Sequence, residues 1–280
     1  MRALFLIPGD GVDQLQALPA VAATAEALGF AIQVACPPEL APIWKLLPAV
    51  EKVIPFAYGN ATLADWANLL GSVREPDFQV AVNLAPGRQM DLMLSMSHIP
   101  TRIASAGFSA TETVAAPAAG WLAQALAGHL RPIGVDLQAE VFRLQLKPAA
   151  LAEATASLPA GEGPMLLLAP AGGPTDWPTE RWQELPVRIR STLATLRSQA
   201  VLPATPAGAG QRAALVAAAD VVLSSDPLTT ELALLCGTPV VALGRSPGSL
   251  PERAGVQGIG AADDLRSLGV DTVLQALGLA

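Results

Sequence analysis

A pair of doubly wound α/β domains is what this sequence predicts, on three observations. Apolar runs of strand length recur through the chain, helical segments lie between them, and a Pro- and Gly-rich break separates two halves that repeat this alternation. Strands joined through helices of this length make right-handed crossovers, so each domain is expected to hold a parallel sheet. The domains are read as residues 1–147 and 148–280, each with its ligand crevice at the carboxyl ends of its strands. The cleft between two such domains, facing one another, is the expected site.

In the first domain, the apolar residues 3–7 form a strand that stops at Pro8-Gly9-Asp10-Gly11. Leu15, Leu18, Val21, Ala22, Ala25 and Leu28 recur at helical spacing, so residues 14–28 form a helix with Gly29 as its stop. Residues 30–35 are a second strand, closed by Pro37-Pro38. A short helix over 41–47 leads to a third strand at 53–56. Leu63, Trp66, Leu69 and Leu70 share one face of a helix over 63–73, and a fourth strand at 79–84 precedes a helix starting at Arg88.

The second domain opens with a linker helix over 149–158 and the breaker Pro159-Ala160-Gly161-Glu162-Gly163-Pro164. The continuously apolar strand at 164–169 suits burial on both faces. A helix over 182–196 must hold Pro186 near its first turn or bend there. Strands follow at 201–204, 221–224 and 240–243, with helices at 213–219, 228–236 and 271–277.

Composition narrows the class. Hydrophobic residues make up 51% of the 280 and charged residues 15%, enough to build packed cores and too little charge for a disordered chain. The mean hydropathy of +0.42 raises the question of a membrane span, but every apolar run is far below the roughly 20 residues a spanning helix needs. The first apolar run ends at Pro8-Gly9 without a small-residue cleavage site, so it is read as a strand and not a signal peptide. A net charge of −7 gives no electrostatic case for nucleic acid. Cys36, Cys236, His98 and His129 are too scattered for a structural zinc site, and the two cysteines are expected to be buried free thiols in a reducing cytoplasm.

Three turns carry candidate chemistry. Around Ser225-Asp226-Pro227-Leu228-Thr229-Thr230-Glu231 a strand enters and a helix leaves. Asp226 is a natural N-cap and Pro227 suits the first helical position. The N–H groups of that helix start, with the Thr229 and Thr230 hydroxyls, make either a phosphate seat or simply a well-capped helix. At Pro8-Gly9-Asp10-Gly11-Val12-Asp13 two carboxylates offer a general base, or a turn residue and a cap. After the strand at 164–169, Gly172 and Gly173 allow close backbone approach by a ligand, and Trp177 either stacks on a base or pins the loop. A dinucleotide fingerprint is absent, which removes the dehydrogenase alternative.

Taken together, these segments resemble glycosyltransferase family 9, the ADP-heptose–lipopolysaccharide heptosyltransferases. The residues that carry the likeness run in family order along nearly the whole chain. They are Val12-Asp13 through Leu18-Pro19, Leu47-Pro48 through Pro55-Phe56, Phe78 through Leu84, His98-Ile99-Pro100-Thr101-Arg102-Ile103-Ala104, Ala169 through Trp182, and Ala219-Asp220 through Leu243. The resemblance implies the GT-B fold of two Rossmann-like domains, the first on the acceptor side and the second on the nucleotide-sugar side. It implies inverting transfer to a saccharide or lipid-linked acceptor, with Asp13 as the base. The donor would lie against Gly172, Gly173, Thr175, Trp177, Asp226, Leu228, Thr229 and Thr230. No cofactor and no metal are implied, and the location would be cytoplasmic, with peripheral contact at the inner membrane face.

The chain departs from the family pattern at the donor. Val12 replaces a glycine, Thr175 stands where the family has a lysine, and Pro227 through Glu231 replace Ser-Gly-Pro-Met-His. Loss of a cation and gain of the Glu231 carboxylate each oppose diphosphate binding by about 1–3 kcal/mol. Arg245, just after the strand at 240–243, is expected to replace the lysine. The stretch from Trp182 to Val221 is short for the family, so the second domain is expected to be shortened. The alternative function is a catalytically degenerate GT-B protein acting as a binding or scaffold module.

Overall fold

The computed structural model describes residues 1–74, 77–117 and 120–279. The chain divides into two compact units, Met1–Phe142 and Arg143–Ala280. Among the described residues, no helix is long and apolar enough to cross a membrane.

Unit 1 begins with β1 (Arg2–Leu6), α1 (Gly11–Leu28), β2 (Ala31–Cys36), a 3-10 segment at Pro38–Leu46 and β3 (Val50–Pro55). It continues with α2 (Leu63–Val73), β4 (Phe78–Asn83), α3 (Arg88–Met96), β5 (Thr101–Ala104) and β6 (Glu112–Thr113), then the one-turn helices α4 (Leu122–Ala125) and α5 (Ala127–Leu130). Among the described residues these strands pair in parallel in the order β3-β2-β1-β4-β5-β6. Strand order reverses between β1 and β4, which makes their carboxyl ends the topological switch point. Leu4, Leu6, Ile54, Phe56, Leu69, Phe78, Met90 and Leu94 pack as one core, and the Phe56 ring meets Tyr58 and Trp66 edge-on. Each fully buried side chain of this size stabilises the fold by about 1.5–3 kcal/mol.

Local chemistry explains two differences from expectation here. Helix α1 starts at Gly11, earlier than its apolar spacing suggests, because Asp10 and Asp13 close a capping box in front of it. The helix expected over 41–47 is instead 3-10, since Pro42 lacks the N–H that an α-helical ladder would use.

Unit 2 contains α6 (Pro148–Ser157), β7 (Met165–Ala169), α7 (Thr179–Thr192), β8 (Arg197–Ala200), α8 (Ala209–Ala217) and β9 (Val221–Ser224). It ends with α9 (Pro227–Cys236), β10 (Val240–Leu243), β11 (Val256–Ile259) and α10 (Val270–Ala276). Among the described residues the strands pair in parallel in the order β11-β10-β9-β7-β8, so the switch point lies between β7 and β9. Every residue of β7 is buried, as a strand covered on both faces requires. Leu166, Leu168, Trp177, Trp182, Leu185, Ile189 and Val273 form the core on one side.

The strand expected at 201–204 is corrected to Arg197–Ala200, and the helix expected over 182–196 to Thr179–Thr192. As an edge strand, β8 pairs on one side only, with β7, so its polar Arg-Ser-Gln-Ala sequence is tolerated. Pro203 cannot extend the ladder, and Leu202 is 83% exposed. This is the strand that the Trp182–Val221 stretch conceals in sequence. The edge strand β11 had no counterpart in the sequence reading; its Gly258 is required because a Cβ there would lie 2.3 Å from the Arg245 carbonyl oxygen.

Candidate functional site

At the switch point of unit 1, a cavity of about 320 Å³ opens beyond β1, β4 and β5. Asp13, Asn83, Ser105 and His129 supply its polar lining; apolar residues such as Ile7, Leu84, Leu122 and Leu126 supply most of the rest. Asp13 is held by the helix cap. Its carboxylate accepts the Asp10 N–H at 2.9 Å, while the Asp10 carboxylate accepts the N–H groups of Val12 and Asp13 at 2.8 and 3.2 Å. Gln14 ties the same helix turn to the end of β1 by donating to the carbonyls of Ile7 and Pro8, and accepts the Trp44 indole N–H. Burial raises the Asp13 pKa above the usual carboxylate value, and the neighbouring Asp10 charge adds to the rise. A carboxylate with raised proton affinity is a better general base than an exposed one.

Gly9 makes this geometry attainable. Its φ of +94° lies in the left-handed region, and a Cβ there would sit 2.0 Å from Asp13 Oδ2. In the same lining, Ser105 Oγ and His129 Nε2 are hydrogen-bonded at 3.0 Å, and burial lowers the His129 pKa. Ser105, His129 and Asn83 had escaped the sequence reading. Their positions just after β5, in α5 and at the end of β4 converge only once the sheet is assembled.

At the switch point of unit 2 a second cavity, of about 250 Å³, gathers Gly172, Thr175, Thr230 and Arg245 from the expected donor residues. Gly172 and Gly173 adopt φ of +75° and +94°, so glycine is needed at both. Asp176 folds this loop by accepting the N–H groups of Gly172 and Trp177, each at 2.7 Å, and Ser225 accepts the Ala171 N–H at 2.9 Å.

Several of the expected donor residues, Thr230 among them, are occupied in holding the fold. Asp226 caps α9, accepting the Thr229 N–H at 2.9 Å, the Thr229 hydroxyl and the Ala204 N–H. Arg212 donates to the Thr229 hydroxyl at 2.8 Å, and the Thr230 hydroxyl bonds to Ser224 Oγ and the Asp226 carbonyl. The two hydroxyls expected as phosphate ligands are therefore engaged within the helix cap and buried. Leu228 is half-buried in the first turn. Trp177 is buried, its indole N–H donating to the Leu268 carbonyl at 2.8 Å and its ring edge-on to Trp182, so it pins the loop instead of stacking on a base.

Glu231 also needs correction as a repellent group. Its side chain is 0% exposed and carries an ion pair to Arg245 Nη1 at 3.0 Å. Arg245, the expected replacement cation, is directed at Glu231 of α9 and is steadied by Ser249 through Nε and Nη2. Its charge is thus shared with a buried acid before any ligand arrives. Burial pushes Cys36 and Cys236 up to about 12. Among the described residues no group of three His, Cys, Asp or Glu side chains is placed to hold a metal ion.

No family model matches this sequence, and no curated protein does. Solved structures do match its fold. The glycosyl transferase family 9 structure from Veillonella parvula aligns with a TM-score of 0.75 at 13% identity, covering 99% of this chain and 96% of that one. ADP-heptose LPS heptosyltransferase II of E. coli aligns with a TM-score of 0.71 at 18% identity, covering 99% and 98%. The E. coli heptosyltransferase WaaC with ADP aligns with a TM-score of 0.68 at 16% identity, covering 99% of both chains.

Proposed function

For a chain that carries the fold of the family 9 glycosyltransferases, we propose glycosyl transfer from a nucleotide sugar to a hydroxyl of a saccharide or lipid-linked acceptor. The observation that carries this reading is Asp13, a half-buried carboxylate with raised proton affinity, fixed by a helix cap at the switch point of unit 1. As base it would take the proton from the acceptor hydroxyl, and the oxygen would attack the anomeric carbon with inversion as the nucleotide leaves. Unit 2 would supply the donor side. The Gly172-Gly173 turn allows close approach of phosphate to backbone, and Arg245, with three of its N–H groups bonded to Glu231 and Ser249, keeps others for a phosphate oxygen.

A second reading, a binding or scaffold module on the same fold, is favoured by the Glu231–Arg245 pair, which sets a carboxylate against the Arg245 charge on the donor side. The two are separated by titrating ADP- and UDP-sugars into the full-length protein by calorimetry, followed by transfer assays on saccharide acceptors. The transferase reading expects one nucleotide sugar to bind, and Asp13→Asn to keep that binding while losing transfer by at least about a hundredfold. Transfer by Asp13→Asn at the wild-type rate defeats the role of Asp13. Silence toward every nucleotide sugar favours the scaffold.

A further inference from the structure

The unit 1 cavity is built for a particular kind of molecule. Its walls are mainly apolar, from Ile7, Pro8, Leu84, Pro86, Leu122 and Leu126. Among the described residues, no lysine or arginine lines it, and the one charged lining group is the Asp13 carboxylate. An anionic ligand would therefore be desolvated against apolar walls, next to a like charge and without a counter-ion.

The other polar groups of the lining are Asn83, Ser105 and His129, and burial favours the uncharged imidazole. His129 is 1% exposed, and its Nδ1 makes no hydrogen bond among the described residues. A neutral imidazole carries one N–H. Placing that proton on Nε2, toward Ser105, avoids burying an unpaired N–H and leaves the Ser105 hydroxyl proton free for an oxygen in the cavity. Ser105 is half-buried, lines the cavity and follows β5 directly, so it can meet both His129 and a ligand.

We infer that this cavity selects an uncharged acceptor with an apolar face or aglycone, which offers one hydroxyl to Asp13 and a second oxygen to Ser105. The inference rests on the transferase reading for the word acceptor, but the binding it describes needs no donor. Ser105 acts as a specificity residue, and His129 as the positioning residue that aims its hydroxyl.

The test uses the full-length protein without nucleotide sugar. Phenyl β-glycosides of glucose, galactose and mannose are titrated by calorimetry beside phenyl β-glucuronide and galacturonide, which differ from their hexose counterparts by a carboxylate. Methyl glycosides report the apolar contribution. At least one phenyl hexoside is expected to bind, with its uronide or methyl counterpart at least about tenfold weaker. Ser105→Ala, titrated well below its melting temperature so that the loss of the His129 contact does not unfold it, is expected to weaken the phenyl hexoside by about three- to tenfold. Equal or tighter binding of the uronide, no saturable binding by any phenyl hexoside, or an unchanged affinity in Ser105→Ala overturns the inference. Transfer that depends on Asp13 but prefers anionic acceptors would defeat this inference and leave the transferase reading intact. Neutral glycosides that bind without transfer would do the reverse.

Discussion

Asp13 joins two demands that usually compete. It closes the capping box at the start of α1, and it lines the unit 1 cavity, where burial raises its proton affinity. The cap keeps one carboxylate oxygen committed to the Asp10 N–H, which fixes the orientation of the group. Gly9 is the residue on which this depends. Gly9→Ala would place a methyl on the Asp13 carboxylate and force a left-handed φ on an alanine. The expected result is a loss of about 1–3 kcal/mol in urea unfolding and a larger loss of transfer than of nucleotide-sugar affinity. His129 gives a separate, pH-dependent signature. Because burial lowers its folded pKa, the unfolded chain takes up a proton first as pH falls through about 6.5, and stability declines until the lower folded value is reached. Asp13 has the opposite sign: its raised folded pKa costs stability as pH rises from the ordinary carboxylate range to the folded value. Urea titrations between pH 5 and 8 should show a steeper acid-side decline in wild type than in His129→Gln, and parallel curves would refute this account.

At the level of elements, the donor side of unit 2 is held by ties between neighbours more than by free ligand groups. The cap of α9 collects Asp226, Thr229, Arg212 and the Ala204 N–H, which anchors the segment after β8 to the start of that helix. The Glu231–Arg245 pair joins α9 to the turn after β10. Removing one member of a buried pair leaves the other charge desolvated, at a cost of about 3–5 kcal/mol. Arg245→Ala is therefore expected to destabilise, because it removes the ion-pair partner of a fully buried carboxylate. Glu231→Gln should cost less, since Arg245 retains its Ser249 contacts and is 23% exposed. A chemical-denaturation double-mutant cycle measures the coupling, and additive effects would mean that the pair contributes nothing as a pair.

Across the whole molecule, each unit carries its own parallel sheet and core. Central strands have their backbone groups bonded on both sides, and edge strands on one. Amide hydrogen exchange is expected to be slowest in β1 and β4 of unit 1 and in β7 and β9 of unit 2. The edges β3, β6, β8 and β11 should exchange roughly tenfold faster or more. Edge strands that exchange as slowly as the central ones would contradict the sheet order. The fold is shared with a family 9 glycosyl transferase at 13% identity and with two heptosyltransferases at 16–18%.

Much of this arrangement could be read along the chain. Apolar runs such as Met165–Ala169 and Val240–Leu243 announced buried strands, because parallel strands covered on both faces need continuous hydrophobicity. Asp13, the Gly172-Gly173 turn and Asp226 were legible because turns, caps and positive φ have local residue requirements. Edge strands β8 and β11 were misplaced or missed, since one-sided pairing leaves little imprint on sequence. Local sequence could not reveal that Thr229 and Thr230 are occupied by the cap, or that Trp177 is buried in the core. Nor could it show that Glu231 pairs with Arg245, or that Ser105, His129 and Asp13 line one cavity. Those outcomes depend on residues brought together from different elements, and only the assembled sheet sets the distances over which hydrogen bonds and charges act.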